Sequence, residues 1–311
     1  NRSVAQSVKG MRLVTFALNS APAERRLGVQ LLDDPKDLNG NFNIVDLSEA
    51  EPAGFGNATM RQFLEGGAEA KAKAQGIVSS GGRRHARADV KLLAPIYDAM
   101  KVICIGMNYR DHCTEQGLPV PEEPVVFNKW PSCISGNGDP IPLENTECLD
   151  FEVELAIVIG AKCRNVPKAN ALDVVAGYTV AHDVSARDLQ LKKNGGQWLL
   201  GKALDGYAPI GPAIVTPDEL PTPDAGSIGV RTRLNGDIVQ DSSTKELVFD
   251  IPSIVEYLTR FFTLHPGDLI FTGTPPGVGC FRKPPIWLKH GDSVDVEIDH
   301  IGTITNPVVK V

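Results

Sequence analysis

Short apolar runs broken by Gly, Pro and Asn dominate this chain, and only two stretches carry a helical period. Residues 11–17 (MRLVTFA) and 27–32 (LGVQLL) read as strands, with NGN at 39–41 as a turn between strands. Residues 59–75 follow a helical pattern, with Thr59 as N-cap and an Ala/Glu/Lys run of high propensity. GIVSSGGRRHARA (76–88) reads as a loop or linker, which puts a domain boundary near residues 85–100. Beyond Lys101 come KVICIG, a continuous apolar strand, and RTRLNGDIVQ, whose Asn235-Gly236 is a strong hairpin signal. HPGDLIFTGT and KHGDSVDVEID each show a turn feeding a strand. An amphipathic helix follows Asp250, with Pro252 in its first turn and Ile254, Val255, Leu258, Phe261 and Phe262 on one stripe. The expectation is a β-rich α+β protein, with residues 1–95 as a small N-terminal domain and linker and 96–311 as the catalytic domain. No βαβ alternation with GxGxxG supports a dinucleotide fold.

Bulk properties narrow the function. Hydrophobic residues make up 42% and charged residues 22% of 311, as in ordinary globular chains. A net charge of -7 and a pI near 5.4, with basic clusters no longer than Arg83-Arg84 and Lys192-Lys193, argue against a nucleic-acid partner. No run approaches a membrane span of about 18 apolar residues. The chain opens on Asn1, and a targeting segment ahead of it is neither indicated nor excluded. Cysteines 104, 113, 133, 148, 163 and 280 lack zinc-ligand spacing and read as reduced thiols of a cytosolic or matrix-like compartment.

Three acids stand out because they interrupt apolar strands: Glu152 and Glu154 in DFEVELAIVIG, and Asp183 in YTVAHDVSARD. An unpaired buried carboxylate is costly, so a compensating cation is expected. Period-two alternation puts Glu152 and Glu154 on one face, continued by Ala156 and Val158, opposite Phe151, Val153, Leu155 and Ile157. A strand entering from solvent would account for the two glutamates alone. Asp183, on the face of Thr179 and Ala181, favours a metal site. An all-oxygen set selects Mg²⁺, Mn²⁺ or Ca²⁺ and leaves coordination positions for water and substrate.

Other polar groups compete with plainer readings. In NYRDHCTEQG, His112 and Glu115 lie three apart on a helical turn, as a general base with its orienting carboxylate or as a surface pair. Gly106, Gly117 and LPVPEEP flank them in a composition suited to a mobile lid. Arg187 and Gln190 follow Asp183, and Lys202 follows an apolar stretch. Lys202 would hold a substrate carboxylate or oxyanion, or form a salt bridge with Asp205 or a neighbour. FTGTPPGVG (271–279) offers backbone N–H groups to an anion, or is a tight structural loop without a P-loop's GK[ST].

The ordered set GMNYRDH, FEVELAIVIG, VAGYTVAHDVSARD, GKALD, GPAIV and FTGTPPGVG resembles the fumarylacetoacetate hydrolase superfamily from about Val102 to Val309, more weakly before it. The resemblance implies a mixed β-sheet roll or barrel, a homodimer, Mg²⁺ or Mn²⁺ as cofactor, and a mitochondrial matrix or cytoplasmic location. By motif it implies Glu152, Glu154 and Asp183 as metal ligands and His112 and Glu115 as the base pair. It further implies Arg187, Gln190, Lys202 and Thr274 as substrate contacts. Many relatives carry Thr where this chain has Gly206, which removes a hydroxyl contact. Together these favour a 2-oxo acid substrate and a stabilised enolate. Oxaloacetate tautomerisation is the first expectation; acylpyruvate C–C hydrolysis and oxaloacetate decarboxylation follow. A metal-dependent 2-oxo acid binding protein is the non-enzyme alternative, and the His112–Glu115 pair argues against it.

Overall fold

A computed structural model describes residues 10–38 and 40–311. Its main sheet runs, edge to edge, through Arg84–Ala86, Phe42–Asp46, Ala21–Leu32, Arg12–Leu18, Ala208–Val215, Val175–His182, Val153–Ile159, Leu269–Phe271, Val102–Gly106 and Val125–Lys129. All neighbours along this path are antiparallel except Leu269–Phe271 with Val102–Gly106. Both ends of the path are free, so the sheet is open and not the closed barrel that the resemblance allowed. The N-terminal strands extend the same sheet, because Arg12–Leu18 pairs with Ala208–Val215 and with Val90–Leu92.

A second sheet orders Asp237–Ser243, Gly229–Leu234, Ser293–Ile298, Gly302–Lys310 and Ile141–Leu143. Asn235-Gly236 makes the expected hairpin between the first two of these, with φ of 53° and 92°, values a type I′ turn requires. The strand Val153–Ile159 is buried throughout because each face has its own core. Leu155 and Ile157 pack with Val230, Val296 and Ile304 of the second sheet. Ala156 and Val158 pack with Phe271 and with Phe63 and Leu64 of the N-terminal helices.

The helix expected over 59–75 is two helices, Met60–Glu65 and Gly67–Ser79. Thr59 caps the first in a full capping box, and Gly67, at φ +55°, breaks the axis in a conformation that L side chains avoid. Ala70, Ala74 and Val78 bury one stripe of the second helix, which runs on to Ser79, four residues into the segment expected to be a loop, and Arg84–Ala86 pairs with Phe42–Asp46. Of the NGN turn, Asn39 lies outside the described residues. The helix Ile251–Phe261 has Asp250 as N-cap, accepting from Ser253 N at 2.8 Å. It buries Ile254, Val255 and Leu258 but leaves Phe261 and Phe262 57% and 40% exposed, because the helix ends there.

Candidate metal centre and catalytic cavity

Strand register assembles the acidic triad. Val153 pairs with His182 and Glu154 with Ala181, and Asp183 N donates to Glu152 O at 3.0 Å. Glu152 and Asp183 each lie one residue beyond their strands, facing one another, with Glu154 on the same face two residues along. All three are buried, and one carboxylate oxygen from each lies within 4.8 Å of the others.

Lys202 Nζ sits 2.8 Å from both Glu152 Oε2 and Asp183 Oδ2. Its ion pairs are therefore with the triad and not with Asp205. Lys129 Nζ is 2.7 Å from Asp183 Oδ1 and also donates to the carbonyls of Val184 (3.0 Å), Lys202 (2.5 Å) and Tyr207 (2.8 Å). Arg187 reaches Asp150 through Nε at 2.8 Å, Glu152 through Nη2 at 2.5 Å and Gln190 Oε1 through Nη1 at 2.9 Å. Four buried carboxylates thus face three buried cations, and Glu154 has no ionic partner among the described residues. Its Oε2 accepts only the N–H of Gly273, at 2.6 Å.

Burial, with Asp183 and Glu152 nearby, pushes the Glu154 carboxyl well above its ordinary value. Burial pushes Glu152 the same way, but Lys202 and Arg187 outweigh it and hold that carboxyl at about 2. Burial would lower Lys202, yet Asp183 and Glu152 raise it, so it stays cationic. Three hard oxygens and one missing positive charge fit a divalent oxygen-seeking ion. A second group, Asp46, Glu49 and His85, is equally compact. Arg26 and Arg83 already pair with its carboxylates, so it is a salt-bridge cluster.

A cavity of about 240 Å³ opens on Glu152 and Glu154 of the triad, lined also by Arg187, Gln190, Lys202, Thr274, His112 and Gln116. His112 lies on the helix Arg110–Gln116, which ends at Gly117 in the left-handed region (φ +65°). Its Nδ1 is 2.9 Å from Glu115 Oε2, so the expected pair forms. Thr274 Oγ1 accepts from Gln240 Nε2 at 2.9 Å, which leaves the hydroxyl hydrogen for the cavity.

The loop 271–279 has its own carboxylates as anions: Gly273 N donates to Glu154, Gly277 N to Glu115 at 2.9 Å and Gly279 N to Asp150 at 2.6 Å. Its N–H groups therefore fix acids of the site. Asp150, Lys129, Gln116 and Gln240 escaped sequence reasoning. Asp150 and Lys129 carried a usable signal, a charged residue at the end of an apolar strand, as Glu152 did.

The chain belongs to the fumarylacetoacetate (FAA) hydrolase family, whose C-terminal domain pattern matches residues 101–309. More particularly, it is 49% identical over 310 residues to a Xenopus laevis protein named oxaloacetate tautomerase fahd2, mitochondrial, spanning 99% of this chain and 93% of that one. A fumarylacetoacetate hydrolase structure from Exiguobacterium antarcticum superposes at TM-score 0.81 with 36% identity, covering 97% of this chain and 100% of that one. Maleylpyruvate hydrolase from Sphingobium sp. SYK-6, solved with manganese(II) and pyruvate, gives 0.75 and 30% over 96% and 99%.

Proposed function

We propose that this chain catalyses keto–enol tautomerisation of oxaloacetate, with Mg²⁺ or Mn²⁺ held by Glu152, Glu154 and Asp183. The observation that carries the reading is the buried triad, one cation short, whose Glu152 and Glu154 line a cavity also lined by His112, the partner of Glu115. A divalent ion turns the balance of buried charge from one negative to one positive, which suits a dianionic 2-oxo acid. Bound there, the ion supplies Lewis acidity towards the 2-oxo carboxylate.

The chain's own groups do the rest. Glu115 fixes His112 with Nδ1–H donating, so Nε2 keeps a lone pair to take or return the proton at C3. Thr274 offers its hydroxyl hydrogen to a substrate oxygen. Gln190, whose Oε1 is used by Arg187, offers its amide N–H groups. Lys202 and Arg187 add positive charge to the cavity lining; Glu152 and Asp183 take two of the three Lys202 N–H groups, and Asp150, Glu152 and Gln190 take three of the five of Arg187.

The name of the Xenopus relative supports both the reaction and a mitochondrial location for this chain. Manganese and pyruvate in the maleylpyruvate hydrolase support the metal and the 2-oxo acid. That relative also keeps acylpyruvate C–C hydrolysis as the alternative, in which His112 would deprotonate water. The free edge strand Val125–Lys129, with exposed Val125, Val126 and Trp130 beside Met100 and Phe262, supports a homodimer. Parallel assays of enol-oxaloacetate loss and acylpyruvate cleavage at saturating Mg²⁺ decide between the reactions. Faster turnover of acylpyruvates than of enol-oxaloacetate would replace the tautomerase reading.

A further inference from the structure

The proton-accepting atom of His112 is already occupied. Gln116, one turn on in the same helix, places its amide Nε2 2.8 Å from His112 Nε2 and 3.4 Å from Met107 Sδ. With Nδ1–H donating to Glu115, Nε2 of a neutral imidazole can only accept, so the amide NH₂ is the donor in that contact. Gln116 also lines the cavity, together with His112, Glu152 and Glu154. The base is therefore capped by a neutral donor until something draws the amide away.

We infer that Gln116 is a specificity residue that uncaps His112 when its amide turns to the distal carboxylate of a 2-oxo dicarboxylic acid. The inference rests on the tautomerase reading and adds which substrates engage the base. A carboxylate accepts an amide N–H more strongly than an imidazole lone pair does, because charge-assisted hydrogen bonds are roughly twice as strong as neutral ones. A substrate with only the 1-carboxylate and 2-oxo group sits over the triad but leaves Gln116 on His112. A distal carboxylate at the cavity wall takes the amide and frees Nε2 to face C3. Glu115 remains on Nδ1 throughout, so the tautomer that accepts a proton is preserved.

The test compares two proton-transfer reactions at one base. Enol-oxaloacetate loss is followed by absorbance, and hydrogen–deuterium exchange at C3 of pyruvate, which has no distal carboxylate, by proton NMR. Gln116→Met keeps the length and removes the donor; Gln116→Ala removes both. In each variant kcat/KM for oxaloacetate is expected to fall by about tenfold or more, mainly through KM, the scale of one lost charge-assisted hydrogen bond. Pyruvate exchange is expected to hold or quicken. If both reactions fall by the same factor, Gln116 merely supports the helix and the inference is wrong. It is also wrong if neither reaction changes. A wild-type protein inactive on oxaloacetate but active on acylpyruvates overturns the tautomerase reading and this inference with it. Equal losses in the variants overturn only the inference.

Discussion

Replacing Glu154 by Gln separates its cost in the metal-free fold from its use as a ligand. The side chain is 1% exposed and, among the described residues, has one hydrogen bond and no ionic partner. Burial and two neighbouring carboxylates raise its folded-state value above the ordinary 4.5. The sign follows directly. A raised value means the folded state holds the proton more tightly, so this stabilisation is full below 4.5 and is lost as pH rises towards the folded value. At neutral pH the metal-free wild type bears that loss, and Glu154→Gln removes it while keeping an oxygen for Gly273 N. The metal-free variant should therefore melt at or above wild type at pH 7.5, with a flatter pH dependence above 4.5.

Metal reverses the order. At about a hundredfold excess over Kd, a bound ion adds about 2.7 kcal/mol, or about 4 °C for a chain of this length at about 2.1 cal/mol/K per residue. Wild type should gain that shift on adding Mg²⁺ or Mn²⁺, and Glu154→Gln should lose most of it. Differential scanning calorimetry with and without chelator reads both effects. A variant that keeps the full metal-dependent shift, or melts several degrees lower without metal, would refute this account of Glu154.

Other substitutions probe separate parts of the site. Lys129→Met strips Asp183 of a buried ammonium and should cost about 3–5 kcal/mol in urea unfolding of the metal-free protein, less with Mg²⁺ present. His112→Ala should lower kcat for oxaloacetate tautomerisation by about 10²–10⁴ and leave Mg²⁺ affinity by calorimetric titration unchanged. Gly206 has φ +74°, and a Cβ there would meet Pro142 Cδ at 2.8 Å. Gly206→Thr should therefore cost at least about 1–2 kcal/mol in the urea midpoint and bring no gain in turnover.

Period-two alternation made the site's faces legible before its distances. Glu152, Glu154 and Asp183 share a surface because their strands alternate, and the pairing of Glu154 with Ala181 makes that a cluster. The His112–Glu115 pair was readable from helical spacing for the same reason. Asn235-Gly236 and Asp250 declared a hairpin and a helix start because their local chemistry admits few alternatives. The break at Gly67 had a signal in the pair Gly66-Gly67, which the helical reading of MRQFLE before it and of the Ala/Glu/Lys run after it overrode. Lys129 was visible as a charge ending a strand, but its role was not: its carbonyl and carboxylate partners lie 54 to 78 residues away and meet only in the folded sheet. The loop after Phe271 offered free N–H groups on paper, and only folding revealed that Glu154, Glu115 and Asp150 take them.

The central claim is a metal-dependent proton transfer at C3 of a 2-oxo acid. Its most direct test follows the loss of enol-oxaloacetate absorbance with wild-type protein that is metal-loaded, chelator-treated, and reloaded with Mg²⁺ or Mn²⁺. Acceleration over buffer is expected in the loaded protein, with its loss on chelation and its return on reloading. Full acceleration by chelated protein that is still folded would contradict it.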